Sequence, residues 1–332
     1  MPIVNYNDSG VSPRTTVYAA REMLKHAERV MILEKMGLTK PIPPNASLTI
    51  VFRRPRVFTA ATVPLVEGVT PTSRSFRYDD VSATLAQYGE VVEVTDVIED
   101  THEDAVLQHA AMQAGENIGR TTEALIWGVL RAGTNVMFAN GNLRNAVNTP
   151  LSYSKQAAIT RSLKAQKAMP ITSVLDGSIN YASRAVEPGF VAVAHTDVEH
   201  DVRALPGFLP VAQYGKRSTV CDHEIGSCVD VRYVLSPDLD KFIDAGGLAN
   251  GMVSTTGTNA DVYPIIFFGR EAFGTVPLRG KNAVSPTILP VGQKTKDDPL
   301  GQRGYVGWKM YFTSLILNQN WLVRAEVAAT AL

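Results

Sequence analysis

In TTVYAAREMLKHAERVMILEK, Thr15 to Lys35, the residues Val17, Ala20, Leu24, Ala27, Val30 and Met31 recur at helical spacing with charges between them. This pattern predicts an amphipathic helix behind a polar tail, ending near Gly37, where KPIPPNAS breaks regular structure. Leu48 to Phe58 then turns β-prone, with Pro55 removing a ladder donor and so pointing to an edge strand or bulge, and Arg74 to Leu85 reads as the return strand. Between them Pro64, Gly68 and Pro71 punctuate a linker longer than an ordinary hairpin turn. Two strands alone bury too little apolar surface to be stable in water. This arm therefore needs a surface to lie on, either its own domain or a neighbouring chain.

Tyr88 to Val97 reads as another strand. The strongest helical pattern follows, from Thr101 as N-cap, through Glu103 and Asp104 in the first turn, to a stop at Gly133. That is a helix of about 30 residues, on the order of 45 Å long. Its apolar face includes Ala105, Val106, Ala110, Ile118, Leu125, Ile126 and Val129, and Ala114, Gly115 and Gly119 predict close approach by another element. Ser154 to Lys167 predicts a basic amphipathic helix, Phe190 to Ala194 a short buried strand, and HTDVEHDVRAL a helix capped by Thr196. YPIIFFG, Tyr263 to Gly269, has the continuous apolar run of a central strand. The last segment, GYVGWKMYFTSLILNQNWLVRAEVA, reads as two long strands joined around Asn318 to Asn320. Helices and strands are interspersed without βαβ regularity, which predicts an α+β fold.

Composition narrows the function. Among 332 residues, 45% are hydrophobic and only 19% charged, which suits a surface covered by neighbours. Lys plus Arg and Asp plus Glu are both 32, so the basic excess of a dedicated nucleic-acid binder is missing. No run of about 18 apolar residues suggests a membrane span, and the first fifteen residues lack a secretory signal pattern, so synthesis in a cytoplasm is expected. The two cysteines, Cys221 and Cys228, are then expected as thiols.

Candidate chemistry is sparse. His195 and His200 are five apart, and a helical metal pair needs four. Cys221, His223 and Cys228 offer zinc-type ligands at non-standard spacing, and the simpler expectation is a surface hairpin with solvated polar side chains; a metal-dependent hydrolase using them is the enzyme alternative. His102, Glu103 and Asp104 resemble an acid–base cluster, but carboxylates at a helix start have a sufficient structural role. No phosphate-binding loop, dinucleotide fingerprint or nucleophile elbow occurs. No catalytic residue, metal site or cofactor is expected. The arm carries Arg53, Arg54, Arg56, Arg74 and Arg77 together with Glu67, Asp79 and Asp80, a mixture assigned to salt bridging at a subunit contact rather than to phosphate binding.

Five blocks together resemble a known family: YGEVVEVTDVIEDTHEDAVLQ (Tyr88 to Gln108), AGTNVMFANG (Ala132 to Gly141), FVAVAHTDVEHDVRALPGF (Phe190 to Phe208), GTNADVYPIIFFGREAFGTVPLRG (Gly257 to Gly280) and DPLGQRGYVGWKMYFTSLILN (Asp298 to Asn318). In that order they are similar to the major capsid proteins of tailed bacteriophages, in the group typified by coliphage N-four. The resemblance implies the Hong Kong 97-type capsid fold, with residues 1–45 as N-terminal arm and 46–87 as extended β-hairpin loop. It further implies a peripheral domain over 88–150 with a spine helix at 101–132, and an axial domain over 151–332 whose strands return to the peripheral domain. It implies hexamers and pentamers building an icosahedral shell around double-stranded DNA, with the extended loop as a subunit clasp. Expected partners are further copies of the chain, a separate scaffolding protein, a portal protein, a decoration protein and packaged DNA contacted without sequence reading. The expected location is the virion capsid, assembled in the host cytoplasm. An encapsulin-like compartment enclosing an enzyme cargo is the alternative.

Overall fold

The computed structural model describes residues 31–332 apart from 57, 66, 69, 102–105, 176–182, 216, 281–283 and 295–297. The expected N-terminal helix falls largely outside these residues, as does the cluster of His102, Glu103 and Asp104. The arm and the first long strand comprise β1 (Leu38–Thr39), β2 (Thr49–Pro55), β3 (Tyr78–Thr84) and β4 (Ala86–Thr95). Helices α1 (Asp96–Thr101) and α2 (Val106–Arg131) follow, then β5 (Val136–Phe138) and α3 (Tyr153–Ala165). Next come β6 (Ile171–Leu175), β7 (Ser183–Ala194), α4 (Glu199–Arg203), β8 (Leu209–Pro210), β9 (Glu224–Cys228) and β10 (Val231–Leu235). The last strands are β11 (Tyr263–Phe268), β12 (Phe273–Pro277), β13 (Val284–Leu289), β14 (Arg303–Ile316) and β15 (Leu322–Val327).

The fold is α+β, built on two larger sheets and one hairpin. β14 organises the first sheet: β4 pairs along one edge, and β12 and β13 pair in tandem along the other, with β1 outside β12. Its alternation sets the layering, because Val306, Trp308, Met310 and Phe312 are buried on one face and α2 lies across that face. Ala110, Ala111 and Ala114 are buried in the core shared with that face, and Thr122 donates to Met310 Sδ at 3.7 Å. The second sheet runs β5-β15-β11-β7-β10-β9-β8. Its β11 is buried along its whole length: Ile266 and Phe268 face the core shared with α2, and Ile265 and Phe267 face the core under α3.

Several boundaries depart from the sequence pattern. The chain is helical from Asp96, where Asp96 Oδ1 accepts from Val97 N at 2.8 Å, and the cap expected at Thr101 adjoins residues outside the described ones. The cap expected at Thr196 belongs to His195, whose Nδ1 accepts from Asp197 N at 3.0 Å. β7 begins seven residues before the apolar run at Phe190, because its first half pairs with β6 outside the main sheet. The two C-terminal strands do not pair with each other: β14 closes the first sheet and β15 enters the second, beside β11.

Gly246 joins the loops beneath the second sheet. A Cβ there would meet the carbonyl oxygens of Val147 and Ala260 at 2.3 and 2.8 Å, contacts no side-chain rotation relieves. Gly246→Ala is expected to destabilise the subunit by about 1–3 kcal/mol, read as a lower urea midpoint with unchanged m; a midpoint equal to wild type would contradict this packing.

Candidate assembly surface

The arm is the hairpin β2–β3, whose register sets Arg53 against Asp80 and Arg54 against Asp79. Arg53 makes two parallel hydrogen bonds to Asp80, Nε to Oδ1 and Nη2 to Oδ2, both 2.9 Å. Asp79 takes its short contact from Arg56 Nε at 2.7 Å, while Arg54 Nη2 stands 3.7 Å away. Hydrogen bonds from Arg56 and Arg53 hold the Asp79 and Asp80 carboxyls below the usual carboxylate range. Such exposed pairs add little stability; they pin the register. Arg74 braces the loop by donating to Thr59 O at 2.8 Å. Five of the eight residues assigned to a subunit contact thus pair with one another inside the hairpin. Arg77 and Glu67 are exposed and make no ion pair among the described residues.

Apolar groups accompany these charges. Phe58, Phe76 and Tyr78 form an exposed aromatic row, with centroids 6.0 Å and then 4.7 Å apart, and Arg53 covers Tyr78 at 5.0 Å. Val63 and Leu65 near the tip are 82% and 78% exposed, which an isolated subunit in water has no reason to maintain. The base is anchored: Ile50, Phe52 and Val81 pack on a small core of Ile42, Ala83, Leu85, Val276 and Leu315. Between this base and the body lies an open groove of about 320 Å³, lined by Leu38, Lys40, Phe52, Arg54, Leu317 and Trp321 among others. Sequence reading missed the groove, because Lys40 and Trp321 meet only through the fold.

Elsewhere the charged clusters are structural. Glu326 is fully buried and held by Arg144 through two 2.8 Å hydrogen bonds, and Arg144 stacks on Phe242 at 3.6 Å. Asp261, also buried, accepts from Thr255 Oγ1 at 2.7 Å and pairs with Lys241 at 2.8 Å. Burial lowers the Lys241 pKa, but hydrogen bonds to Asp261 and Tyr263 outweigh it and leave the amine above its usual value, protonated and not nucleophilic.

The cysteine hairpin is not the solvated surface feature expected: Cys228 is buried at the end of β9, and Cys221 is half-buried. Both are free thiols, and burial pushes Cys221 up to about 11, away from a metal-binding thiolate. Among the described residues no three metal-ligating side chains converge, and no helix is long and apolar enough to cross a membrane.

The family model for phage capsid proteins matches residues 78–321, and the chain belongs to that family. It is a major capsid protein, a structural subunit of a virion shell. Three solved structures share the fold. The capsid of Ralstonia phage GP4 aligns at a TM-score of 0.65 with 14% identity, covering 90% of this chain and 91% of that one. The capsid of cyanophage Pam1 aligns at 0.64 with 14% identity and 92% of each chain. The SrpI encapsulin of Synechococcus elongatus aligns at 0.51 with 11% identity, covering 99% and 92%. No curated protein matches the chain significantly.

Proposed function

We propose that this chain builds the Hong Kong 97-type shell of a tailed bacteriophage of the coliphage N-four type, as hexamers and pentamers around double-stranded DNA. The single observation that carries the reading, beyond family membership, is the arm: a hairpin pinned by its own ion pairs, anchored at its base and apolar toward its tip. On this reading 1–45 is the N-terminal arm and 46–87 the extended loop that clasps a neighbour, through Arg77, Glu67 and the aromatic row, with Arg53, Arg54, Arg56, Arg74, Asp79 and Asp80 holding its shape. Residues 88–150 with the spine helix form the peripheral domain, which β12 to β14 rejoin, and 151–332 is largely axial. We take the chain to have no catalytic role. Scaffolding, portal and decoration proteins are its remaining partners, and assembly occurs in the host cytoplasm.

The contents of purified particles test this. Nuclease-protected double-stranded DNA is the expected content. Particles holding one stoichiometric co-purifying protein and no nucleic acid would instead establish a compartment of the encapsulin kind, whose fold this chain shares.

A further inference from the structure

Helix α3 carries charge that the subunit does not balance. Glu123 and Asp176 bound the longest acid-free run of the chain, 52 residues holding six cations, Arg131, Arg144, Lys155, Arg161, Lys164 and Lys167. Four of the six lie on α3 or two residues past its end, over about 18 Å at 1.5 Å per residue. Lys155 is half-buried, and Arg161, Lys164 and Lys167 are exposed. Lys164 pairs with Asp230 at 2.6 Å, whereas Lys155, Arg161 and Lys167 make no ion pair among the described residues.

The described acids around the helix are already engaged. Asp230, between β9 and β10, is held by Lys164, and Glu187, which lines a small pocket with it, pairs with Arg217 at 2.9 Å. Glu271 pairs with Arg270, whose backbone N–H donates to Met169 O just past the helix. On α4, which shares the core under α3, Glu199 pairs with Arg203 at 2.7 Å and Asp201 accepts from Thr330 N and Oγ1. Three cations thus stay uncompensated on one helix of a chain whose formal charge is zero. Phosphate fits them better than a protein surface does. Protein interfaces are depleted in lysine and need an apolar centre. Here three of the four cations are lysine, and the large apolar side chains exposed, Tyr153 and Met169, flank the charges instead of lying among them. A line of cations without fixed carboxylate partners is the footprint of contact with a nucleic-acid backbone.

We propose that α3 lies on the inner surface of the shell and binds the phosphate backbone of the packaged double-stranded DNA through Lys155, Arg161 and Lys167. The contact rests on the shell reading above and gives the packaged DNA a specific element of the subunit to meet. Backbone contacts of this kind carry no sequence information, which a shell that encloses a whole genome requires.

Formaldehyde cross-linking of DNA-filled particles, followed by nuclease and protease digestion and mass spectrometry, tests it. Nucleotide adducts are expected on Lys155 and Lys167, and an amine-reactive polymer too large to pass the shell is expected to leave Lys167 unmodified until particles are opened. Adducts absent from α3, or polymer on Lys167 of intact particles, would overturn the proposal. The triple variant Lys155→Gln/Arg161→Gln/Lys167→Gln gives a second reading. None of the three pairs with a carboxylate, so particle yield is expected to equal wild type. For the unassembled full chain on random-sequence duplex, the slope of log K against log salt should shallow by about 2.7, roughly 0.9 per cation removed. An unchanged slope would overturn the contact. Failure of the variant to assemble with scaffolding protein would overturn it too, and would assign these cations to a protein partner. Particles that hold no nucleic acid at all are a separate result, which ends the shell reading itself.

Discussion

A chain lacking Thr62 to Thr72 is expected to remain a folded, soluble subunit that no longer closes into shells. Among its described residues the segment removed has no ladder pair and no part in any core cluster, and it includes Val63 and Leu65, exposed at 82% and 78%. Its loss leaves β2–β3, the ion pairs of Arg53 and Arg56, and the core under Ile50, Phe52 and Val81 in place. The thermal midpoint should therefore stay within a few degrees of wild type, a change of less than about 1 kcal/mol. Assembly should fall by orders of magnitude, because burial at about 25 cal/mol per Å² is lost at every junction of the shell and the losses multiply. Sedimentation velocity with negative-stain imaging, with scaffolding protein supplied where wild type needs it, reads both quantities. Megadalton closed particles from the deletion at wild-type yield would end the clasp reading.

The second large effect lies inside the subunit. Glu123, in the middle of α2, is 2% exposed, and its Oε1 accepts from the backbone N–H groups of Ile32 and Leu33 at 2.6 and 2.8 Å. It thereby ties the segment entering the fold onto the long helix. Burial pushes its carboxyl up to about 7, partly offset by those hydrogen bonds, and neighbouring Glu34, itself raised by burial, adds to the rise while Lys35 opposes that of Glu34. The folded chain thus binds this proton more tightly than the unfolded chain does. The corresponding stability is full below about pH 4.5 and is lost as pH rises to about 7, a span on the order of 3 kcal/mol. Glu123→Gln keeps an acceptor and cannot ionise, so its stability relative to wild type should rise by that amount between pH 5 and pH 8. Glu123→Leu strands two buried N–H groups and should be destabilised at both pH values, by about 1–3 kcal/mol for each group. Identical urea midpoints for wild type and Glu123→Gln across that range would show that the carboxyl is not the titrating tie.

Much of the architecture was legible along the chain because it rests on local periodicity. Alternating apolar residues mark β14, the continuous run at Tyr263 marks β11, and helical spacing marks α2 and α3. The arm was legible for a different reason: two β-prone segments around a long Pro- and Gly-punctuated linker cannot satisfy themselves, so a partner surface was implied before any contact was known. Helix starts were the weakest reading. A good capping residue at Thr196 competes with whatever the preceding chain does, and here His195 prevailed.

By itself the sequence determined the α+β class, the strand and helix periods, the need for neighbours, and, through five ordered blocks, the kind of protein this is. Tertiary structure alone decided which distant segments meet. β14 and β15 are adjacent in sequence yet enter different sheets, Lys40 and Trp321 wall one groove, and Glu123 reaches Ile32 across 91 positions. The reason is physical: periodicity states which face of an element must be buried, but the choice of partner is made by the summed packing of all faces at once, and no local pattern encodes that sum.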